Sequence, residues 1–144
     1  MKKIDAFNFP EGTKLSSKYQ ILSRLGGGWE GEVYLVRELG TNIERAAKFF
    51  YPQRNRGNKT VNFYAKKLHK LRGCHALIQY HSQEKTLFKS TPITYLVSEF
   101  VEGPTLSDFV DQRKKKRLPP FQALHLIHSI ARGVEEIHYL KEYH

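Results

Sequence analysis

Apolar and polar residues alternate along three short runs in the first third of the chain. Residues 19–25 (YQILSRL), 32–37 (EVYLVR) and 45–51 (RAAKFFY) each predict a strand, since a period of two turns one face of a pleated ribbon inward. Short turns join them, first the glycine-dense residues 26–31 and then Leu39-Gly40-Thr41-Asn42, so the three form an antiparallel meander that Pro52 stops. Residues 1–17 are polar and irregular, with a short leading strand near residues 7–9. The period then lengthens. Across residues 60–71, Val61, Tyr64, Ala65, Leu68 and Leu71 are spaced by 3, 1, 3 and 3, a helical stripe with Thr60 as N-cap and Gly73 as its stop. Residues 77–80 and 86–88 predict short strands, and residues 93–101 (ITYLVSEFV) predict the strongest strand of the chain. Gly103-Pro104 breaks it, and residues 106–112 begin a short helix. Pro119-Pro120 then opens a long helix over residues 120–141, because proline suits a first helical turn. Its stripe of Leu124, Ile127, Ala131, Val134 and Ile137, widened by Leu126, Ile130 and Leu140, is broad enough to belong in the middle of a domain.

At 144 residues, 40% hydrophobic and 26% charged, the chain can bury one core. No apolar run approaches the ~20 residues a membrane helix needs, and residues 1–5 lead into no signal-peptide core. The single cysteine, Cys74, excludes an internal disulfide and fits a reducing compartment, so a cytoplasmic location is expected. The net charge of +10 favours polyanionic partners. It is concentrated: residues 45–83 contain no Asp or Glu but nine Lys and Arg, and residues 113–117 are all basic. Both blocks also suit a plain solvated face, so nonspecific, salt-sensitive polyanion binding is the expectation.

Three motifs carry chemistry. Gly26-Gly27-Gly28-Trp29-Glu30-Gly31-Glu32-Val33 matches G-x-G-x-x-G-x-V. A dinucleotide fingerprint would run into a helix, whereas residues 33–36 continue as a strand; a Walker loop would need Gly-Lys-Ser/Thr, and Gly31 precedes Glu32. The glycines therefore sit at a hairpin tip, where bare backbone can approach phosphates or simply make a tight turn. Ala46-Ala47-Lys48 stands on the next strand, 17 residues past Gly31, where a strand can hold a fixed cation under the loop. The third is Val97-Ser98-Glu99-Phe100-Val101-Glu102-Gly103-Pro104-Thr105-Leu106, a strand ending in a break.

In this order and on these elements the three motifs resemble those of protein kinases, and the resemblance covers residues 19–144. It implies an α+β fold: an amino-terminal lobe of five antiparallel strands plus one helix, followed by the first helices of a carboxy-terminal lobe. The implied limits are an extension over residues 1–18, the amino-terminal lobe over 19–101, and a hinge exit with the start of an incomplete second lobe over 102–144. It implies ATP as the cofactor, with Mg²⁺ only in a complete parent protein, since the catalytic Asp, the metal-holding Asn and the Asp-Phe-Gly segment do not occur in these 144 residues. No metal ligands are expected here. Leu25, Gly26, Gly28, Gly31 and Val33 would bound the nucleotide from above, Ala46 would leave room for adenine, and Lys48 would position the α/β-phosphates. Ser98 would be the gatekeeper in front of an open pocket, Glu99 and Val101 would bond adenine through their backbones, and Leu106 would close the slot. Thr105 is the nearby candidate for a ribose contact. His138 and His144 have the spacing of the family's helix histidine and the histidine that opens its catalytic loop, so His144 is expected to begin that loop.

The family pairs its strand lysine with a glutamate on the following helix. Residues 60–71 contain no acid, and the expected position falls near Tyr64; Glu30 and Glu32 of the glycine loop are within reach of Lys48 in its place. The parent is expected to be a protein Ser/Thr kinase, with a protein substrate, and the 144-residue chain itself to be inactive. The alternatives are a pseudokinase or scaffold, suggested by the missing helix acid, and a basic nucleic-acid-binding domain, suggested by the charge. The apolar stripe of the 120–141 helix is expected to drive self-association. His125 and His128, three apart on that helix, are read as packing or solvated residues.

Overall fold

In a computed structural model, which describes residues 3–113, 115 and 117–140, the chain divides into two compact units. One comprises residues up to Lys70 with Ile78–Phe100; the other comprises Leu71–Leu77 with Val101 onward.

The first unit is built on one antiparallel sheet. Its strands are β1 (Lys14–Leu15), β2 (Tyr19–Gly27), β3 (Gly31–Glu38), β4 (Glu44–Phe50), β5 (Tyr80–Phe88) and β6 (Thr91–Glu99), in the spatial order β1-β2-β3-β4-β6-β5. The sixth strand, beyond the five expected, is the two-residue β1. It pairs with the start of β2 and buries Leu15. Residues 7–9 form no strand, although both phenylalanines there pack on the sheet. Of the run expected at 77–80 only Tyr80 lies in a strand; it opens β5, which continues without a break through the second expected run, 86–88. The middle of β5, His81-Ser82-Gln83-Glu84-Lys85, is polar because the strand lies at the sheet edge.

Period-two alternation sorts the side chains onto two faces. Tyr34, Val36, Ala47, Phe49, Tyr95 and Val97 form the larger core on one of them, with Ile21 and Tyr19. Residues 3–10, expected as an irregular extension, cover this face. Phe7 is buried with its ring centroid 5.2 Å from those of Tyr51 and Phe88, and Phe9 lies 4.9 Å from Phe49. Glu32 is buried in the same layer. Its carboxylate accepts from Phe7 N–H at 3.3 Å, Asn8 N–H at 3.4 Å, the Tyr51 hydroxyl at 3.2 Å and the Tyr34 hydroxyl, and Arg24 stands 3.7 Å away. Burial, and then the bond to Glu32, push the Tyr34 phenol up to about 12.

The opposite face carries α1 (Lys59–Lys70). The sequence stripe is the docked one: Val61, Tyr64, Ala65 and Leu68 pack on Phe50, Leu96 and Tyr80. The helix start is capped from further back than expected. Asn55 Oδ1 accepts from Val61 N–H at 3.1 Å, while the Thr60 hydroxyl donates to the Arg54 carbonyl at 2.7 Å.

The second unit holds α2 (Leu106–Asp111) and α3 (Pro120–Tyr139). Gly133 of α3 is buried, and a Cβ there would lie 2.4 Å from that of Ala76, so the helix needs glycine for this close approach. The buried Cys74 Sγ lies 3.8 Å from the Gly133 carbonyl. Phe121, Leu124, Ile127 and Ile130 of α3 are exposed.

Candidate functional site

The β-ladder brings most of the expected site residues of the first unit together. Gly26 pairs with Val33, and Val33 pairs with Lys48; one step along, Leu35 pairs with Ala46, and Ala46 with Ser98. Residues directly opposite in a ladder share a face, and so do residues two apart on one strand. Val33, Leu35, Ala46, Lys48 and Ser98 therefore all lie on the α1 face, with the glycine hairpin at its end. A cavity of about 430 Å³ is lined by Leu25, Gly26, Gly27, Gly28, Trp29, Glu30, Gly31, Val33 and Lys48.

The three glycines differ physically. Gly28 N–H donates to the Gly31 carbonyl at 2.9 Å, closing the hairpin. A Cβ on Gly26 or Gly28 would meet nothing within 4 Å, whereas one on Gly31 would lie 1.8 Å from the Phe49 carbonyl oxygen. The strand pairing itself requires Gly31, and the open space over Gly26 and Gly28 is available to a ligand.

Lys48 Nζ is 2.7 Å from Glu30 Oε2, and lies 4.5 Å from the Tyr64 ring centroid and 5.0 Å from that of Phe50. The Tyr64 hydroxyl reaches both Glu30 oxygens, at 3.0 and 3.2 Å. Burial, with the Glu30 bond next, raises the Tyr64 phenol above its ordinary value. Of the two loop acids within sequence reach of Lys48, only Glu30 takes it. Glu32 belongs to β3 proper and alternates onto the opposite face with Tyr34, whereas Glu30 precedes the strand and is turned the other way. Trp29, at the hairpin tip, is exposed with the Arg54 guanidinium 5.1 Å from its ring centre.

Ser98 is buried, and its hydroxyl donates to the Glu99 carbonyl at 3.2 Å. Glu99 N–H donates to the Gln79 carbonyl at 3.0 Å, and the Glu99 carboxylate accepts from Gln79 N–H at 3.0 Å. Val101 and Leu106 lie in the second unit and are exposed. Thr105, the ribose candidate, caps α2: its hydroxyl oxygen accepts from Asp108 N–H at 3.2 Å and its proton goes to the Asp108 carboxylate at 2.6 Å. His144 lies outside the described residues. No helix among the described residues is long and apolar enough to cross a membrane.

A model of the protein kinase domain matches residues 19–144, and the chain belongs to that family. The serine/threonine-protein kinase PrkC of Bacillus subtilis (strain 168) is 28% identical over 130 residues, which are 88% of this chain and 19% of PrkC. The putative cyclin-dependent kinase F-2 of Oryza sativa subsp. japonica is 26% identical over 124 residues, 84% of this chain and 38% of that protein. Among solved structures, the kinase domain of PknI from Mycobacterium tuberculosis matches with a TM-score of 0.67 at 18% identity, over 91% of this chain and 51% of that one, a likeness of fold. The chain thus spans well under half the length of these curated relatives. A basic nucleic-acid-binding domain is not favoured by these matches.

Proposed function

We propose that this chain supplies the ATP-holding portion of a protein kinase that phosphorylates serine or threonine of a protein substrate. The observation that carries the reading is the ladder register, which puts Lys48 opposite Val33, Val33 opposite Gly26, and Ala46 opposite Ser98, on one face. Gly26, Gly28 and Gly31 would admit the phosphates, Lys48 would bind them, and Leu25, Val33, Ala46, Ser98 and Glu99 would line the adenine side of the first unit; Val101 and Leu106 are carried over from the family resemblance alone. The site fits such a ligand: the space over Gly26 and Gly28 is open, and an ammonium stands at the cavity wall. Mg²⁺ and the transfer step belong, in this reading, to residues the 144 do not include. The cytoplasmic location and the binding of polyanions by the basic blocks are proposed on cysteine usage and charge.

Lys48→Ala is the direct test. A charge-assisted hydrogen bond contributes about 1.5–3 kcal/mol, so the variant should lose roughly 10- to 100-fold in ATP affinity by calorimetry. Adenosine, which lacks phosphate, should bind wild type and variant within about twofold of each other. Equal loss for both ligands would move Lys48 away from the phosphates, and no binding of either would reject the site.

Self-association is proposed separately for the 144-residue chain, on the exposure of Phe121, Leu124, Ile127 and Ile130 along one helix. Sedimentation at low micromolar concentration should show a dimer that Ile127→Glu with Ile130→Glu returns to monomer. A wild-type monomer rejects the proposal.

A further inference from the structure

We propose that Glu30 and Tyr64 together are the positioning pair for Lys48, with the carboxylate supplied by the glycine hairpin and oriented by the α1 hydroxyl. The inference rests on the reading of Lys48 as the phosphate-binding cation.

The starting point is electrostatic. Helix α1 (KTVNFYAKKLHK) faces Lys48 with no acid of its own and carries Lys59, Lys66, Lys67 and Lys70. A lysine beside such a helix needs an anion from another element to hold it in place. Glu30 provides one at 2.7 Å. Its backbone is tied down, since the Glu30 carbonyl accepts from Tyr51 N–H at 2.9 Å, just before the first β3–β4 pair, Gly31 with Phe50. The side chain itself departs from the alternation of β3: it turns to the Lys48 face, whereas Glu32, two residues on, lies on the Tyr34 face. Tyr64 holds it there: its hydroxyl binds both carboxylate oxygens, at 3.0 and 3.2 Å, and its ring lies under the Lys48 ammonium at 4.5 Å.

An exposed lysine–glutamate pair would be worth little, because water screens it and two flexible side chains must be ordered. Here the Glu30 side chain is only 17% exposed, and a third group holds it. The arrangement also leaves Lys48 with capacity to act. An ammonium has three N–H donors. One goes to Glu30, the aromatic faces of Tyr64 and Phe50 stabilise the charge without an acceptor atom, and two donors remain for the cavity that Lys48 lines. Neither Tyr64 nor Phe50 lines that cavity, so Lys48 is gripped from its wall. Tyr64 is in this way a hydroxyl substitute for a helix carboxylate, with the negative charge moved across to the loop.

The test combines a charge deletion with its transplantation. Glu30→Gln should lower ATP affinity about tenfold and leave adenosine within about twofold, while Tyr64→Phe, which keeps the ring and loses the hydroxyl, should lower ATP affinity by about threefold. The double variant Glu30→Gln/Tyr64→Glu puts the carboxylate on α1 and should recover most of the lost affinity, which a merely structural role for Glu30 would not allow. A ligand-free readout accompanies it. In the ¹H–¹⁵N spectrum of lysine-labelled protein at low temperature, the Lys48 ammonium signal should be protected from solvent exchange in wild type, lost in Glu30→Gln and restored in the double variant. Tighter ATP binding by Glu30→Gln would overturn the proposal by making the carboxylate a competitor of phosphate, and so would failure of the double variant to recover. If wild type binds no ATP, the nucleotide reading fails by itself. The ammonium signal then still decides the pairing: loss and restoration support it, and an unchanged signal in Glu30→Gln overturns it. Circular dichroism on each variant separates these results from unfolding, with Tyr64→Phe as the mildest change.

Discussion

Deleting residues 1–10 is expected to remove most of the stability of the first unit. Two losses add. The first is apolar: Phe7 and Phe9 stack on each other at 5.5 Å and pack on Phe49, Tyr34, Tyr51 and Phe88, and losing one buried phenylalanine side chain alone typically costs about 3–5 kcal/mol. The second is polar. Glu32 is 2% exposed, and two of its bonds come from the Phe7 and Asn8 N–H groups. Without them a carboxylate already out of water keeps only the hydroxyls of Tyr34 and Tyr51 and the more distant Arg24. Breaking into a buried charge network of this kind costs about 3–5 kcal/mol. Water entering the vacated layer will recover part of both, yet the sum remains large against a typical total of about 5–15 kcal/mol. Thermal denaturation should show a midpoint lower by at least about 10 °C, with loss of near-ultraviolet aromatic signal before loss of helix. Glu32→Ala, with the segment intact, should reproduce part of the drop by leaving buried donors unpaired. A midpoint unchanged by the deletion would show that residues 3–10 do not belong to the core.

That segment is also where sequence reasoning fell shortest. Phe7 and Phe9 stand in a run with Asp5, Asn8, Pro10 and Glu11, which has no period long enough to predict an element, and their partners lie 25 or more residues away. Strand β5 was hidden for a related reason. At a sheet edge it has little to bury, so His81–Lys85 show no alternation of apolar residues. Its two-residue turn to β6 uses Lys89 and Ser90 at φ 46° and 66°, without the Asn-Gly that would have announced a hairpin. By contrast, β3, β4 and the α1 stripe follow their periods closely, and a period of two is enough to place Ala46 and Lys48 on one face. The site was legible to that extent. That Glu30 rather than Glu32 meets Lys48 was not, because it depends on the residue at which the strand begins, and Gly31 is where the ladder starts. Tyr64 was legible as a position and not as a partner, since nothing in a helical stripe tells which hydroxyl will meet a carboxylate 34 residues earlier in the chain.

Alanine substitutions in the glycine hairpin are expected to separate folding from ligand binding. Gly31→Ala would place a methyl group 1.8 Å from the Phe49 carbonyl oxygen and 3.1 Å from the Phe50 Cα, both main-chain atoms held in the β3–β4 ladder. No side-chain rotation relieves that overlap, so the strands must part between the Glu30–Tyr51 hydrogen bond and the Glu32–Phe49 pair. Overpacking in a well-packed region costs about 1–3 kcal/mol and occasionally more, and a backbone collision belongs at the upper end. Gly26→Ala and Gly28→Ala meet no neighbour within 4 Å, and neither glycine has a positive φ, so the fold offers no reason for either to be glycine. If the empty space above them is where phosphates approach the backbone, a methyl group there should obstruct the ligand alone. Denaturation midpoints and ATP titrations on the three variants give the answer. Gly31→Ala should lose both stability and binding, whereas Gly26→Ala and Gly28→Ala should keep the wild-type midpoint within about 2 °C, a change under 1 kcal/mol, and bind ATP at least about fivefold more weakly. Should Gly26→Ala and Gly28→Ala bind ATP as wild type does, the hairpin would be a turn and not a phosphate cradle, and the nucleotide would have to be held by Lys48 without it.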